Sequence, residues 1–361
     1  MRGGGYAAAM FSVLRLPVPI VQAPMAGGPG TPELVAAVVR AGGLGFLAAG
    51  YLSPGALGER IARTRELVGP GPFGVNVFVP RPLPGDLAPV YRYRAELAVE
   101  AERYGVALPE PDVQDTDHWE RKLELLLADP VPVVSFTFGP PPAATVEALH
   151  AAGTAVVATV TSPREAAEAA GLGVDALCVQ GPEAGGHRGC FDPEADPDDT
   201  PLPLLLARVR ERTGLPLIAA GGLATGADIA AVLRGDTTAA AQLGTAYLRT
   251  PEAGTGAAYR AALADPGAFG RTTVTRAFSG RPARGLRNRF IEDHSATAPA
   301  GYPLLHQLTK PLRAAAAAAG DPHGLSLWAG TGHRHTTREG AEELTRRLWR
   351  EAEGVRGTTP S

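Results

Sequence analysis

Short apolar runs alternate with amphipathic segments along most of the chain. Each run holds four to seven residues and is flanked by Gly, Pro or polar residues, which predicts a buried β-strand. Between the runs, apolar residues recur every three or four positions, which predicts helices; Thr31 followed by Pro32 marks the start of the first. The strands are predicted at 19–23, 44–48, 73–79, 131–136, 155–160, 176–179, 217–220 and 239–243.

This alternation predicts an α/β fold. Strands that alternate with helices form a parallel sheet, and eight such units over about 250 residues fit a (β/α)8 TIM barrel. A doubly wound sheet is the alternative, but it usually has about six strands and a glycine fingerprint on its first turn. Residues 69–74 match GxGxxG; however, they precede a strand and include two prolines, so we interpret them as a loop.

The alternation is interrupted twice. After the third strand, helical segments at 87–104 and 119–128 predict a helical insertion. After the eighth, a helix at 256–264 and strand-like runs at 272–278 and 287–291 predict a smaller α+β subdomain. We expect an extension or disordered N-terminus at 1–15, the cofactor-binding barrel at 16–249 and the substrate-side subdomain at 250–300. The eighth barrel helix (302–319) and a pocket segment are expected within 301–335, and a C-terminal helix (337–353) and tail within 336–361.

Composition narrows the class of partner. The chain has 361 residues, of which 45% are hydrophobic and 20% charged, and its net charge is −3, so no affinity for nucleic acid or membrane is expected. No apolar run reaches the roughly 18 residues of a membrane span, and residues 1–9 lack the apolar core of a signal peptide. The two cysteines lack metal-ligand spacing, which favours a cytoplasmic protein without a metal site.

The carboxyl ends of barrel strands carry the active site. Here they end mostly in neutral amides, hydroxyls and glycines, without the paired carboxylates of a glycosidase or the ligand cluster of a metal hydrolase. Neutral amides suit a planar, hydrogen-bonding heterocycle, and glycine turns after strands seven and eight suit a phosphate. Together these features indicate flavin mononucleotide. The strand ends are Ala23-Pro24-Met25, Asn76, Ser135, Thr159, Gln180, Gly221-Gly222 and Gln242-Leu243-Gly244-Thr245.

The loop after the sixth strand carries a single histidine. Four glycines within 181–189 surround His187, and no apolar periodicity marks it as a core residue. Glycine allows the backbone to approach a ligand closely, and imidazole titrates near pH ~6.5. Our hypothesis is that His187 is a base that removes a proton α to an activating group; the alternative is a structural histidine. Of the other polar features, the arginines at 281–289 are expected to form a basic patch, and His333 and His335 to be exposed.

Five motifs in order resemble the nitronate monooxygenases, formerly called 2-nitropropane dioxygenases. They are VQAPMAG at 21–27, GVN at 74–76, GPEAGGHRG at 181–189, AGGL at 220–223 and QLGTA at 242–246. The likeness spans about 16–334, and the insertion with Trp119 resembles the class I branch. The resemblance implies an FMN-containing (β/α)8 barrel. It also implies oxidation of alkyl nitronates, especially propionate 3-nitronate, and of nitroalkanes by dioxygen, through one-electron transfer to the flavin.

The resemblance also implies roles for individual residues. His187 is the expected catalytic residue. Tyr302, His306 and Lys310 are four residues apart, so they are expected on one helix face in the substrate pocket, although class I has Tyr where His306 stands. A monomer or homodimer is expected. The residues expected to contact FMN are Ala23, Pro24, Met25, Asn76, Gln180, Gly185, Gly186, Gly221, Gly222, Gln242, Gly244 and Thr245.

The glycine–histidine loop leaves an alternative function open. A similar loop occurs in FMN-dependent enoyl-acyl-carrier-protein reductases and NADH:quinone reductases. A hydride-transfer enzyme that uses NAD(P)H is therefore the alternative to nitronate oxidation, and a non-catalytic flavin-binding protein is a third interpretation. Reduction of the bound flavin by NADH distinguishes the reductase from the other two.

Overall fold

The fold is a closed barrel of eight parallel strands, seen in a computed structural model that describes residues 16–234 and 238–357. All eight predicted strands are present, so the (β/α)8 prediction is confirmed; the predicted extension at 1–15 and the end of the tail lie outside the described residues. The barrel order is β1 (Ile20–Gln22), β2 (Leu44–Ala48), β3 (Phe73–Phe78), β4 (Val133–Thr137), β5 (Ala155–Val160), β6 (Ala176–Gln180), β8 (Leu217–Ala220) and β9 (Thr238–Leu243). The short strand β7 (Gly186–His187) lies outside the barrel.

Strand residues alternate between the barrel interior and the helix layer, as a period of two requires. Val21, Phe46 and Val157 pack together inside, whereas Ile20 and Leu47 face the helices. Both sets are buried, so the strands appear in the sequence as continuous apolar runs. Because side chains fill the barrel, a ligand has room only beyond the strand ends.

Helices follow the barrel strands and also form the insertion and the C-terminal third. Thr31, Ser53 and Ser162 each accept a hydrogen bond from a backbone N–H in the first turn and are followed by Pro, which explains three of the helix starts. No described helix is long and apolar enough to cross a membrane. The helices are α1 (Pro32–Arg40), α2 (Pro54–Val68), α3 (Ala88–Glu96), α4 (Ala98–Tyr104), α5 (Trp119–Ala128), α6 (Ala143–Ala151), α7 (Pro163–Gly171), α8 (Leu202–Arg210), α9 (Gly226–Val232), α10 (Ala257–Ala264), α11 (Arg289–His294), α12 (Leu304–Ala318) and α13 (Ala341–Gly357).

The predicted position of the eighth barrel helix is wrong. Helix α13, at the end of the chain, packs between α9 and α1 and completes the outer layer. Its Leu344 and Leu348 join Leu34 of α1 and Ile229 of α9 in one apolar cluster. Helix α12, predicted for that place, packs instead on the insertion helices α3 and α4. Amphipathicity predicts which helix face is buried, but it does not specify the neighbour that covers it.

The subdomain after the barrel contains a three-stranded antiparallel sheet. Strands β10 (Thr272–Thr275) and β11 (Ala283–Leu286) pair with each other, and β11 also pairs with β7 from the loop after β6. The predicted strand at 287–291 is wrong, because α11 begins there. Asn288 accepts a hydrogen bond from the backbone N–H of Ile291 at 3.2 Å, and asparagine is a favoured N-cap.

Three further predictions concern the insertion after β3, the arginines at 281–289 and His333. The insertion after β3 is helical as predicted, although its first helix is broken at Leu97. The predicted basic patch at 281–289 is wrong: Arg281 is buried, and Arg289 binds the buried carboxylate of Glu100 through two hydrogen bonds. The predicted exposure of His333 is also wrong, since its ring is buried with Nδ1 at 3.2 Å from the Gly330 carbonyl oxygen.

Candidate active site

A cavity of about 630 Å³ opens at the carboxyl ends of the barrel strands. Strand ends, glycine loops and helix α12 line it, so the cavity collects residues from most of the described chain. It includes every predicted site residue except Tyr302. These are Ala23, Pro24, Met25, Asn76, Gln180, Gly185, Gly186, His187, Gly221, Gly222, Gln242, Gly244, Thr245, His306 and Lys310.

A row of neutral polar side chains crosses β3, β4 and β5 at the cavity. Asn76 Nδ2 donates to Ser135 Oγ at 2.9 Å and to Thr137 Oγ1 at 3.0 Å. The Thr137 and Thr159 hydroxyl oxygens are 3.3 Å apart. These groups satisfy one another without a charge, so this wall suits an uncharged polar ring. Across the described ranges, no group of three His, Cys, Asp or Glu residues is arranged to hold a metal ion.

The Gln180 side chain fixes the loop that carries His187. Its Nε2 donates to the His187 carbonyl oxygen at 3.0 Å, and its Oε1 accepts from the Gly189 N–H at 2.8 Å. The buried Arg188 guanidinium donates to the backbone carbonyls of Gln180 and Gly181 at the start of the same loop. The amide predicted to face a cofactor therefore also holds the backbone of the candidate base.

His187 is fixed by strand pairing and by ring contacts. In β7 it pairs with Ala283 of β11. Its Nε2 lies 2.9 Å from Ser279 Oγ. The imidazole also contacts the rings of Phe138 and Trp328, at centroid distances of 5.6 and 5.5 Å. The histidine thus joins the barrel to the subdomain and has little freedom to rotate.

The surroundings of His187 keep it neutral. Burial is the main cause that lowers its pKa from the usual 6.5 to about 3, and the positive charges of Arg281 and Arg313 lower the pKa further. The Arg281 guanidinium lies over the Phe138 ring at 4.1 Å, and neither arginine has an ion pair with a described carboxylate. At pH 7 the imidazole is therefore unprotonated, which is the form that accepts a proton.

The glycine turn after β8 leaves backbone donors free. Gly222 has a φ of 71°, and a Cβ there would lie 2.8 Å from Glu183 Cβ and 2.9 Å from Thr331 Oγ1. The N–H groups of Gly222 and Leu223 have no acceptor in the part of the chain that the structure describes. By contrast, Thr225 and Asp228 at the start of the neighbouring helix α9 bond each other's backbone N–H groups in a capping box. The free N–H groups therefore suit an anionic oxygen such as that of a phosphate.

Helix α12 forms a second wall. His306 and Lys310 line the cavity one turn apart, as the spacing predicts. The helix-face prediction is wrong for Tyr302, because α12 begins two residues later. The Tyr302 ring instead lies behind His187, at a centroid distance of 5.9 Å, and its hydroxyl is 3.4 Å from that of Tyr51.

Sequence reasoning misses several cavity residues. Tyr51 lies in the loop after β2, so it belongs to the strand-end loops where barrel enzymes carry their sites. Arg313 follows His306 by seven residues and therefore lies on the same helix face. Phe138 directly follows the end of β4, so it too is at a strand end, whereas Trp328 carries no local signal, because only tertiary packing brings it to His187.

The cavity lies where α/β-barrel enzymes carry their active sites. The sequence profile of the nitronate monooxygenase family matches residues 10–351. The chain belongs to this family, and it is an oxidoreductase.

Individual relatives agree with the family assignment. A nitronate monooxygenase from Paraburkholderia phytofirmans is 40% identical over 352 residues, which cover 95% of this chain and 94% of that protein. Nitroalkane oxidase from Streptomyces ansochromogenes has a similar structure, with a TM-score of 0.91, 48% identity and coverage of 96% and 99% of the two chains. FabK from Thermotoga maritima is more distant, with a TM-score of 0.74, 25% identity and coverage of 98% and 99%.

Proposed function

We propose that this protein binds FMN in the cavity and oxidises alkyl nitronates with dioxygen, and that His187 is the base that removes a proton from neutral nitroalkanes. The observation that carries this proposal is that the neutral His187 imidazole lines the same cavity as the free N–H groups of the β8 glycine turn. Family membership and the likeness to a nitroalkane oxidase support the substrate class. Bound FMN supplies the one-electron oxidation and the reaction with dioxygen.

The residues present fit FMN. The N–H groups of Gly222 and Leu223 suit its phosphate, with Gly244 and Thr245 close by in the same cavity. A side chain at Gly222 would collide with Glu183 and Thr331 and displace the turn, so glycine keeps these N–H groups in place. The neutral amides of Asn76, Gln180 and Gln242 suit the polar edge of a flavin ring. The Ala23, Pro24 and Met25 segment offers an apolar surface to its face, and Gly185, Gly186 and Gly221 allow close backbone approach.

The charges around His187 favour an anion. Removal of a carbon-bound proton from a nitroalkane transfers that proton to the imidazole and leaves the electron pair on the nitronate, which is negative. Arg281 and Arg313 have no described carboxylate as a partner, so they stabilise this charge. They weaken the free base, but the nitronate charge formed beside the ring opposes their effect and raises the pKa of His187 as the proton arrives.

Anaerobic mixing tests the function directly. The purified protein with bound flavin is mixed with propionate 3-nitronate or with NADH, and flavin absorbance is followed. We expect the nitronate to change the flavin spectrum rapidly without full bleaching, NADH to leave it unchanged, and oxygen to be consumed when air is admitted. Rapid bleaching by NADH without nitronate turnover would overturn the proposal in favour of the reductase, and failure to bind FMN after reconstitution would exclude both.

A His187→Asn variant tests the base. We expect it to retain FMN and its activity on preformed nitronates while it loses activity on neutral nitroalkanes by at least 100-fold, which is a typical contribution of a general base. His335→Asn is the matched control, because His335 is exposed and does not line the cavity. Unchanged nitroalkane activity in His187→Asn would show that another group is the base.

A further inference from the structure

The Arg313 side chain contacts His306 two turns earlier on α12. Its Nη2 lies 3.2 Å from His306 Nδ1 and 3.1 Å from the His306 carbonyl oxygen, and its Nε donates to Thr309 Oγ1 at 3.3 Å. A guanidinium has only donors, so Nδ1 must be the acceptor. Nδ1 therefore carries a lone pair, and the proton of the neutral ring lies on Nε2.

The plane of the His306 ring is fixed as well. It stacks on Tyr51 with a centroid distance of 3.9 Å and an interplanar angle of 6°. Tyr51 has a φ of 68°, and its backbone N–H donates to Asp117 Oδ1 at 2.9 Å. Lys122, whose ammonium is 2.7 Å from Asp117 Oδ2, holds that carboxylate in place. His306 is thus fixed at one edge by Arg313 and on one face by Tyr51.

The charged groups around His306 are positive or neutral. Arg313 and Lys310 share its helix, His187 faces it from the loop after β6, and Tyr51 faces it from the loop after β2. Burial, then Arg313, His187 and Lys310, lower the pKa of His306 well below 6.5, whereas burial raises that of Tyr51 to about 12. Neither Arg313 nor Lys310 forms an ion pair with a carboxylate of the described residues.

We propose that Arg313 is a positioning residue that holds His306 as the Nε2–H tautomer, so that His306 and Lys310 present only hydrogen-bond donors to an anionic oxygen of the substrate. Both residues line the cavity, and Nε2 has no acceptor within 16–234 or 238–357. The oxygen belongs either to the nitronate group or to a carboxylate elsewhere on the molecule. The substrate rests on the proposed function, whereas the tautomer does not.

The tautomer is measured by 15N NMR of the imidazole nitrogens in the full-length protein with its cofactor. The His306 signals are assigned by difference from His306→Gln. We expect an unprotonated Nδ1 and a protonated Nε2 in wild type from pH 5.5 to 8. In Arg313→Met we expect the Nδ1–H tautomer to appear, because the Arg313 donor to Nδ1 is gone, and the pKa of His306 to rise while burial still holds it below 6.5. An Nδ1–H tautomer in wild type, or the same tautomer in both proteins, would overturn the proposal.

Kinetics test the donor role and identify the oxygen. We expect Arg313→Met to raise KM for propionate 3-nitronate about 10-fold at pH 8, because Nε2 is then no longer held as the protonated donor toward the anionic oxygen. We also expect this KM to fall at low pH once the pH reaches the raised pKa of His306, since the ring then gains a positive charge. In wild type the same fall is expected only at a lower pH. A raised KM without a shifted ionisation would indicate only a structural role and would overturn the proposal.

Two comparisons complete the test. With ethyl nitronate, which has no carboxylate, an equal rise in KM assigns the donors to the nitronate oxygens, a smaller rise assigns them to the carboxylate, and no rise with either substrate overturns the donor role. Arg313→Gln keeps an N–H donor near Nδ1 without the charge, so it is expected to retain the Nε2–H tautomer. It replaces Arg313→Met in these measurements if Arg313→Met fails to fold. Absence of nitronate turnover alongside the expected NMR result would refute the proposed function and leave the tautomer intact.

Discussion

His187 Nε2 and Ser279 Oγ lie 2.9 Å apart, although 92 positions separate the two residues in the sequence. The Ser279 hydroxyl also lies within 3.4 Å of both the backbone N–H and the carbonyl oxygen of Arg281. Ser279 therefore connects the candidate base to the segment that brings Arg281 over Phe138. The subdomain thus orients the imidazole, whereas the barrel supplies the surface around it.

Loss of this hydroxyl is expected to slow proton abstraction. Ser279→Ala leaves a ring nitrogen of His187 without its partner, so kcat/KM for a neutral nitroalkane is expected to fall about 10-fold, in line with a penalty of about 1–3 kcal/mol. Activity on a preformed nitronate is expected to change little, because that reaction needs no base. Ser295→Ala, which removes the 2.7 Å hydroxyl contact with Thr275 elsewhere in the subdomain, is the control. Equal losses with both substrates would contradict this role.

The pH dependence of nitroalkane oxidation follows from the lowered pKa of His187. Its folded pKa is about 3, so the imidazole stays unprotonated down to roughly pH 4. We therefore expect kcat/KM for a neutral nitroalkane to show no acidic limb near pH ~6.5. A profile of kcat/KM, which reports the free enzyme, checks this expectation. A limb near 6.5 that disappears in His187→Asn would show that the site does not depress this pKa.

Stability is expected to depend on pH for the same reason. The pKa values of His187 and His306 are both lowered in the folded state, so the unfolded chain binds more protons below about pH 6.5. Their contribution to stability is therefore complete above that pH and is lost progressively as the pH falls toward their folded pKa values. Urea unfolding at pH 7 and pH 5 measures the difference. The loss of stability between pH 7 and pH 5 is expected to be smaller in His187→Asn than in His335→Asn.

Flavin affinity is expected to depend on Gly222. Gly222→Ala places a Cβ 2.8 Å from Glu183 Cβ and forces a residue with a side chain into a φ of 71°. The clash and the left-handed φ, which costs an alanine about 1–2 kcal/mol, are relieved if the turn shifts. The Gly222 and Leu223 N–H groups then move away from the phosphate, so we expect FMN to bind about 10-fold more weakly. Flavin fluorescence titration measures the Kd. Gly171→Ala is the control, because the Cβ position of Gly171 is open; equal Kd values for the two variants would argue against a phosphate at this turn.

The Asp117–Lys122 pair is expected to support the Tyr51 loop. Burial raises the pKa of Asp117 and lowers that of Lys122, so each charge needs the other. Lys122→Met is expected to lower the free energy of unfolding by about 3 kcal/mol and to raise the nitronate KM, because Tyr51 loses its fixed partner. The double variant Asp117→Asn with Lys122→Met keeps an acceptor for the Tyr51 N–H. It is expected to recover part of the lost free energy of unfolding and to lower the raised KM. A double variant as unstable as the single one would refute the coupling.

The barrel was predictable because its local signals agree with its tertiary structure. Apolar runs, Pro-led helix starts and Ser or Thr caps all indicate the same element boundaries. The failures occur where one pattern fits two environments. The amphipathic face of α12 is compatible with packing on the barrel or on the insertion helices. Phe290 and Ile291 are compatible with a strand, but Asn288 caps a helix that contains them.

In the candidate site too, residues with a local sequence signal were predictable and residues placed by tertiary contacts were not. Residues at strand ends, such as Asn76 and Gln180, follow from the rule that barrel sites lie at carboxyl ends. The partners of the histidines do not. Ser279 and Arg313 reach His187 and His306 through contacts that the periodicity of the sequence does not encode. Sequence reasoning therefore predicts the cavity wall but not the protonation state of the groups within it.

The position of α13 has a consequence for synthesis. The barrel strands end at Leu243, but the helix that covers α1 and α9 begins at Ala341, so the apolar faces of Leu34 and Ile229 stay uncovered until residues 341–357 leave the ribosome. Domains often fold while they are being made. The outer layer of this barrel cannot close before α13 is available, and truncation within α13 is expected to leave an aggregation-prone, protease-sensitive chain rather than a smaller enzyme.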